Sequence, residues 1–208
     1  MNIALFGGTG QVGSRVLTLL LERGDDVVAL SLHPEKLPPV EHLKAILGDA
    51  RDLTAVREAV RGADAVASCL GMANFSTPAT DLSDSFKTIL EAMAMEGVRR
   101  LVFIGSSGLL DHPDGGLRRD HNLPEYLQFV SAEQVRMYDA IRASDLDWTM
   151  LCPVTFTSED RPTERLVVVE DLAPSDVSHT RDIASLLVEE LGSDAHFGLR
   201  LGIGSRFL

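Results

Sequence analysis

The sequence predicts a doubly wound parallel α/β fold forming a single domain over residues 1–208, and three observations predict it. Short apolar runs alternate with stretches of helical periodicity along the chain, the pattern of strands and crossover helices. The runs are apolar throughout, as strands covered on both faces are. Gly7, Gly10 and Gly13 stand between the first such run and the first helical stripe. The crossovers should be right-handed.

Ile3–Phe6 reads as the first strand. Val12, Val16, Leu19 and Leu20 mark the first helix, and Gly24 ends it. Between them Gly7 permits a tight turn. Gly10 has no Cβ, so a pyrophosphate can approach the backbone, and Gly13 lets helix and strand pack closely. The helix N-terminus adds unpaired N–H groups and a positive dipole end. A glycine triplet alone says little; one opening directly off the first strand points to dinucleotide binding.

Val27–Ser31 is the second strand. The tip after it, Leu32-His33-Pro34-Glu35-Lys36, would face an adenosine ribose. An acid there suits the 2′-hydroxyl of NAD and an arginine the 2′-phosphate of NADP. Leu32 stands in that place, with His33 and Lys36 as the nearest polar groups, either cofactor contacts or solvated turn residues. Leu43–Leu47 is the third strand, closed by Gly48-Asp49, and Leu53, Val56 and Val60 mark the next helix. Gly62-Ala63-Asp64 leads into a fourth strand, Ala65–Leu70, which ends at Gly71.

Thr77-Pro78 reads as a helix start, with Phe86, Ile89, Leu90 and Met93 as its core stripe. Leu101–Ile104 is the fifth strand, followed by Gly105-Ser106-Ser107-Gly108. Residues 109–125 form a long loop of the kind that covers a site, and His112 and His121 in it read as surface residues. Tyr126–Ala143 is helical, Trp148–Cys152 is the sixth strand, and Pro153 ends it. Leu166–Val169 is a short strand inside an irregular segment, Val154–Asp176, expected on the substrate side. Thr180 caps a last helix with Ile183, Leu186, Leu187 and Leu191 inward.

Composition narrows the function classes. Apolar residues are 45% of the chain, and no apolar run reaches membrane-spanning length. The first apolar run has no basic segment before it, unlike a secretory signal. Cys69 and Cys152 lie in apolar runs, which suits reduced thiols and a cytoplasmic setting. The formal charge of −12 repels nucleic acid and anionic membrane, which leaves a small-molecule substrate. Oligomeric state is not legible.

Several stretches together resemble the atypical short-chain dehydrogenase/reductase family, with its Rossmann-type NAD(P)-binding fold. They are the glycine turn, Gly48-Asp49, Gly62-Ala63-Asp64-Ala65-Val66 and Gly97-Val98-Arg99-Arg100-Leu101-Val102. Ser144-Asp145-Leu146-Asp147-Trp148-Thr149 before Pro153, and Arg181-Asp182-Ile183-Ala184, complete the set. Phe6-Gly7-x-Thr9-Gly10-Gln11, Leu127-Gln128 and Val135-Arg136-Met137 are similar to the biliverdin reductase B / flavin reductase branch. The resemblance implies NADP, or NAD, as cofactor. Thr9, Gly10, Gln11 and Val12 would hold the pyrophosphate. Asp49 and Ala50 would border the adenine, with Leu70 and Gly71 under the ribose and nicotinamide. Ser106 would sit beside the nicotinamide as the candidate catalytic residue, with Cys152 and Pro153 on the far side.

Departures from the family matter too. Leu32 replaces an arginine, which predicts weak discrimination between NADH and NADPH, leaning to NADPH. The tyrosine and lysine that many family members use for proton transfer fall at Val130 and Gln134. Tyr138 and Arg142 lie eight residues later, about 12 Å along the helix, so Tyr138 reads as packing. The biliverdin reductase B / flavin reductase branch also lacks the tyrosine–lysine pair and carries histidine where Gln134 stands; its other active-site histidine position is Thr155. These features favour a reductase passing hydride to a flat conjugated acceptor: a flavin, tetrapyrrole or quinone. The competing readings are a non-catalytic, NmrA-type NAD(P)-binding redox sensor and a sugar epimerase or dehydratase.

Overall fold

The structure is a computed structural model describing residues 1–72, 75–121, 123–158, 163–174 and 177–207. The strands are β1 (Asn2–Phe6), β2 (Asp26–Ser31), β3 (Leu43–Leu47), β4 (Ala65–Ser68), β5 (Arg100–Ile104), β6 (Asp147–Pro153), β7 (Phe156–Thr157), β8 (Thr163–Glu170), β9 (Ser178–His179) and β10 (Leu199–Phe207). The helices are α1 (Gly13–Arg23), α2 (Leu53–Val60), α3 (Asp81–Glu96), α4 (Gln128–Arg142) and α5 (Thr180–Glu190). Eight strands form one sheet in the order β3-β2-β1-β4-β5-β6-β10-β8, parallel except for β8, which runs antiparallel to β10. β7 and β9 form a separate parallel pair.

The apolar runs are continuous because each strand feeds two cores. In β1, Ile3 and Leu5 pack with Val16, Leu17 and Leu20 of α1 and Ile183 and Leu187 of α5. Ala4 and Phe6 point the other way, to Val56 of α2, Phe86 and Ile89 of α3 and Met137 of α4. Phe103 on β5 continues that second core, edge-on to Phe86 with ring centres 5.4 Å apart.

Helix ends follow local chemistry. Gly24 takes φ of 82° and closes α1 through its N–H to the Leu20 and Leu21 carbonyls. Asp52 caps α2, its carboxylate accepting the Thr54 N–H at 2.9 Å. α3 begins at Asp81, not at Thr77-Pro78, with Asp81 and Asp84 at the positive end of the helix. α4 begins at Gln128, behind a short 3-10 turn over Glu125–Leu127. The cap of α5 is His179, not Thr180. Its Nδ1 accepts the Arg181 N–H at 3.0 Å, and the Thr180 hydroxyl is buried inside the helix start without a hydrogen-bond partner among the described residues.

Two differences reshape one end of the sheet. β4 stops at Ser68, two residues before the expected Leu70, with the Cys69 N–H donating to the Phe6 carbonyl of β1 at 2.8 Å just beyond its end. β10 does not stand out in the sequence, since Gly202 and Gly204 interrupt its apolar pattern. Gly202 is required by packing: a Cβ there would lie 1.9 Å from the Leu172 carbonyl oxygen. The segment Val154–Asp176, expected to be irregular, supplies β7 and β8; its residues 159–162 and 175–176 lie outside the described residues. Among the described residues, no helix is long and apolar enough to cross a membrane.

Candidate functional site

The parallel strands deliver their C-terminal ends to one edge of the sheet. The chain reverses its direction across the sheet between β1 and β4, which opens a crevice at the end of β1. The glycine turn fills that position. Gly7 has φ of 78°, and a Cβ on it would stand 2.7 Å from the Cys69 carbonyl group. A Cβ on Gly13 would lie 2.0 Å from the Gly7 carbonyl oxygen, so the fold itself demands both glycines. Gly10 differs. A Cβ there would meet only the Gly7 carbonyl oxygen, at 3.4 Å, so the missing side chain leaves a cradle open outward.

Two cavities extend along this edge. The first, about 430 Å³, lies over the ends of β1 to β4. Gly7 and Thr9 line it from the turn, Leu32 and His33 from the tip after β2, Asp49 and Ala50 from the end of β3, and Leu70 and Gly71 from beyond β4. Lys36 is exposed on a 3-10 turn outside it. His33 borders it, with Nδ1 3.2 Å from the Glu35 carboxylate. Val12 is buried in the core and Gln11 lies on the outer side of the turn, beside Ser14 and Arg15.

Arg51 dominates the electrostatics of this cavity, and the sequence reading passed over it although it directly follows Gly48-Asp49-Ala50. Its Nε and Nη2 reach the Asp49 carboxylate at 3.0 and 2.6 Å, and Nη1 donates to Asp81. The guanidinium hydrogen bonds hold the Asp49 carboxyl below its ordinary range. Two carboxylates on one guanidinium leave little of its charge for a ligand.

The second cavity, about 640 Å³, lies over the ends of β5 and β6. Ser106 is at its base. The Ser106 hydroxyl oxygen accepts the Gly108 N–H at 3.2 Å, which leaves its proton available to donate. Pro153, Val154, Thr155 and Phe156 line one wall, Tyr126, Leu127 and Val130 another. The loop after β5 supplies His112, Arg118, Arg119 and His121, so the two histidines expected on the surface face this space. Cys152 does not line it. It is wholly buried beside the Ser106 backbone N–H, and burial pushes its thiol up; of the pair Cys152 and Pro153, only Pro153 reaches the cavity.

Arg200 of β10 fixes the loop that carries this wall. Its guanidinium donates to the Leu109 carbonyl at 2.6 Å, to Asp111 at 2.9 Å and to Asp171 at 2.7 Å. Behind the cavity, Tyr138 packs edge-on against Trp148, ring centres 5.8 Å apart, with Arg142 and Arg200 over its faces. Burial raises its hydroxyl pKa. Gln134, on the same helix, is buried with its Oε1 lacking a hydrogen-bond partner among the described residues.

A glycine turn at the switch point, an outward cradle at Gly10 and cavities on both sides of it fit an extended dinucleotide. Fold and site thus define a dinucleotide-binding α/β protein. The chain belongs to the NAD(P)H-binding family, whose model matches residues 7–194. It is 30% identical to a proposed epimerase from Bacteroides thetaiotaomicron, with a TM-score of 0.85 over 99% of this chain and 97% of that one. It is 30% identical over 204 residues to the (4-alkanoyl-5-oxo-2,5-dihydrofuran-3-yl)methyl phosphate reductase of Streptomyces griseus, covering 94% of this chain and 65% of that one. A proposed NADH-flavin reductase from Streptococcus pneumoniae shares the fold, with 21% identity and a TM-score of 0.83 over 99% of this chain and 100% of that one. The chain spans 12% to 65% of the length of the curated relatives it matches, among them a steroid dehydrogenase and two reductases.

Proposed function

We propose that this chain is an NAD(P)H-dependent reductase whose second cavity receives a flat conjugated acceptor, a flavin, tetrapyrrole or quinone. The observation that carries this reading is the wall chemistry beside Ser106. Phe75 and Phe156 are aromatic and about half exposed there, Tyr126 is more exposed still, and by the family resemblance Val130 stands where a carbonyl reductase would keep its acid. Bound in the groove, the reduced cofactor supplies a hydride. With it bound, the Ser106 hydroxyl, whose proton is free to donate, would orient the carboxamide or the acceptor by one hydrogen bond. A conjugated acceptor spreads the arriving charge over its ring and takes its proton from water, so no side chain of matched pKa is needed.

The Streptomyces relative supports a conjugated acceptor, since the compound in its name is an unsaturated lactone ring. Epimerase chemistry has less support, because neither Val130 nor Gln134 transfers protons. The test is the initial rate of NADPH oxidation with FMN, dichloroindophenol and biliverdin beside simple aldehydes. Turnover of the conjugated compounds is expected. Tight cofactor binding without turnover of any would mark a redox sensor and overturn the reading. Ser106→Ala should slow turnover roughly five- to tenfold, the loss of one hydrogen bond.

A further inference from the structure

The second cavity has a charge character opposite to that of the whole chain. The molecule carries a formal −12, yet among the described residues lining this cavity there is no carboxylate, and there are Arg118, Arg119, His112 and His121. The two arginines sit on one short 3-10 turn, Arg118–Asp120. Arg119 is partly engaged: Nη1 donates to the Ser131 carbonyl at 2.8 Å, and Nε is 3.8 Å from Asp120. The Arg118 guanidinium is half-buried and has no hydrogen-bond or ion-pair partner among the described residues, although 31 carboxylates are present in the chain.

The histidines add donors to the same wall. Their rings stack, with centroids 3.7 Å apart and planes 11° from parallel. His112 Nδ1 accepts the Asp114 N–H at 3.2 Å, so a neutral ring keeps its proton on Nε2. His121 Nε2 donates to the Gly115 carbonyl at 2.8 Å. A half-buried guanidinium left unpaired next to stacked imidazoles is costly unless an anion completes it.

Building on the reductase reading, we propose that the second cavity binds a flat ring bearing an anionic group, a phosphate or a carboxylate, held by Arg118 and Arg119 beside the His112–His121 stack. The aromatic side chains take the ring and the arginine turn takes the anion. The anion then fixes which edge of the ring faces Ser106.

The experiment compares molecules that differ only in the anion. With the protein saturated by NADP⁺, so that the dinucleotide groove is filled, binding is measured for FMN against riboflavin and for biliverdin against its dimethyl ester. The anionic member of at least one pair should bind about tenfold tighter or more. Which pair responds separates phosphate from carboxylate. Arg118→Gln should bring that ratio toward one. If that variant fails to fold, raising the ionic strength on the unaltered protein should narrow the same ratio. Equal affinity within both pairs, a ratio indifferent to Arg118→Gln and to salt, or no binding of any of the four overturns the inference. Turnover of riboflavin or of the dimethyl ester with no preference for the anionic member of either pair would sink the anion site and keep the reductase. FMN held through Arg118 without turnover would keep the anion site and sink the reductase.

Discussion

At the scale of the residue, the three glycines of the first turn have different physical reasons. Gly7 and Gly13 are required by backbone contacts within 3 Å, so a side chain at either collides with the protein itself. Gly10 has room within the fold. Gly10→Val should therefore fold normally and lose its dinucleotide, because the added methyls occupy the phosphate path. Gly13→Val should fail to fold. Calorimetric titration of NADPH into the Gly10 variant, with circular dichroism on both, checks this; full affinity in Gly10→Val would remove the turn from the binding site. The spacing showed that a turn of this kind was present. It did not show which glycine serves the ligand, since that depends on where Cys69 and the Gly7 carbonyl lie in space.

At the scale of the element, charged clamps hold helices and loops in place. Glu133 of α4 is wholly buried and crosses to α3, accepting from the Ser83 N–H at 2.8 Å and its hydroxyl at 3.1 Å, while Arg136 donates to it at 2.9 Å. Glu133→Ala leaves the buried Ser83 N–H unpaired and takes the carboxylate from Arg136, and should cost about 3 kcal/mol, read as a lower urea midpoint at unchanged slope. The Asp49–Arg51 pair closes the end of β3 onto α3 in a similar way. Because Arg51 holds the Asp49 carboxyl below its ordinary 3.8, the folded state favours the ionised form. The stability gained is present above that ordinary value and is lost as pH falls through the lowered one. The melting temperatures of wild type and Asp49→Asn should differ at neutral pH and converge as the pH falls below the ordinary carboxylate range. A gap that persists in acid would show that the ion pair is not its source.

At the scale of the whole molecule, the two cavities along the sheet edge join strands and loops that are distant in the chain. A ligand bound only by the folded protein, present at a hundred times its dissociation constant, contributes about 2.7 kcal/mol. For a chain of this size that raises the melting temperature by about 5–10 °C. NADH and NADPH should give shifts of this size at concentrations within a factor of about ten, leaning to NADPH. Leu32 stands where an arginine would bind the 2′-phosphate, and Arg51 is already taken by two carboxylates. A thousandfold gap between the two cofactors, measured by thermal shift titration, would mean that another cation serves the ribose.

The sequence by itself determined the order of strands and helices through β6, the two-faced burial of the central strands and the glycine turn after β1. Those features rest on contacts between near neighbours, or on a hydrophobic period that shows in a short window. Only the tertiary structure decided β10, because Gly202 in it answers to Leu172, a partner about thirty residues away. The same holds for the second cavity. Ser106, Arg118, Val130 and Phe156 come from four separate stretches of chain, and no local pattern announces that they meet. Leu32 and the absent tyrosine–lysine pair were legible as departures at single positions. The pairing of Arg51 with Asp81 and the stacking of His112 on His121 were not, since each depends on how a loop closes over the sheet edge.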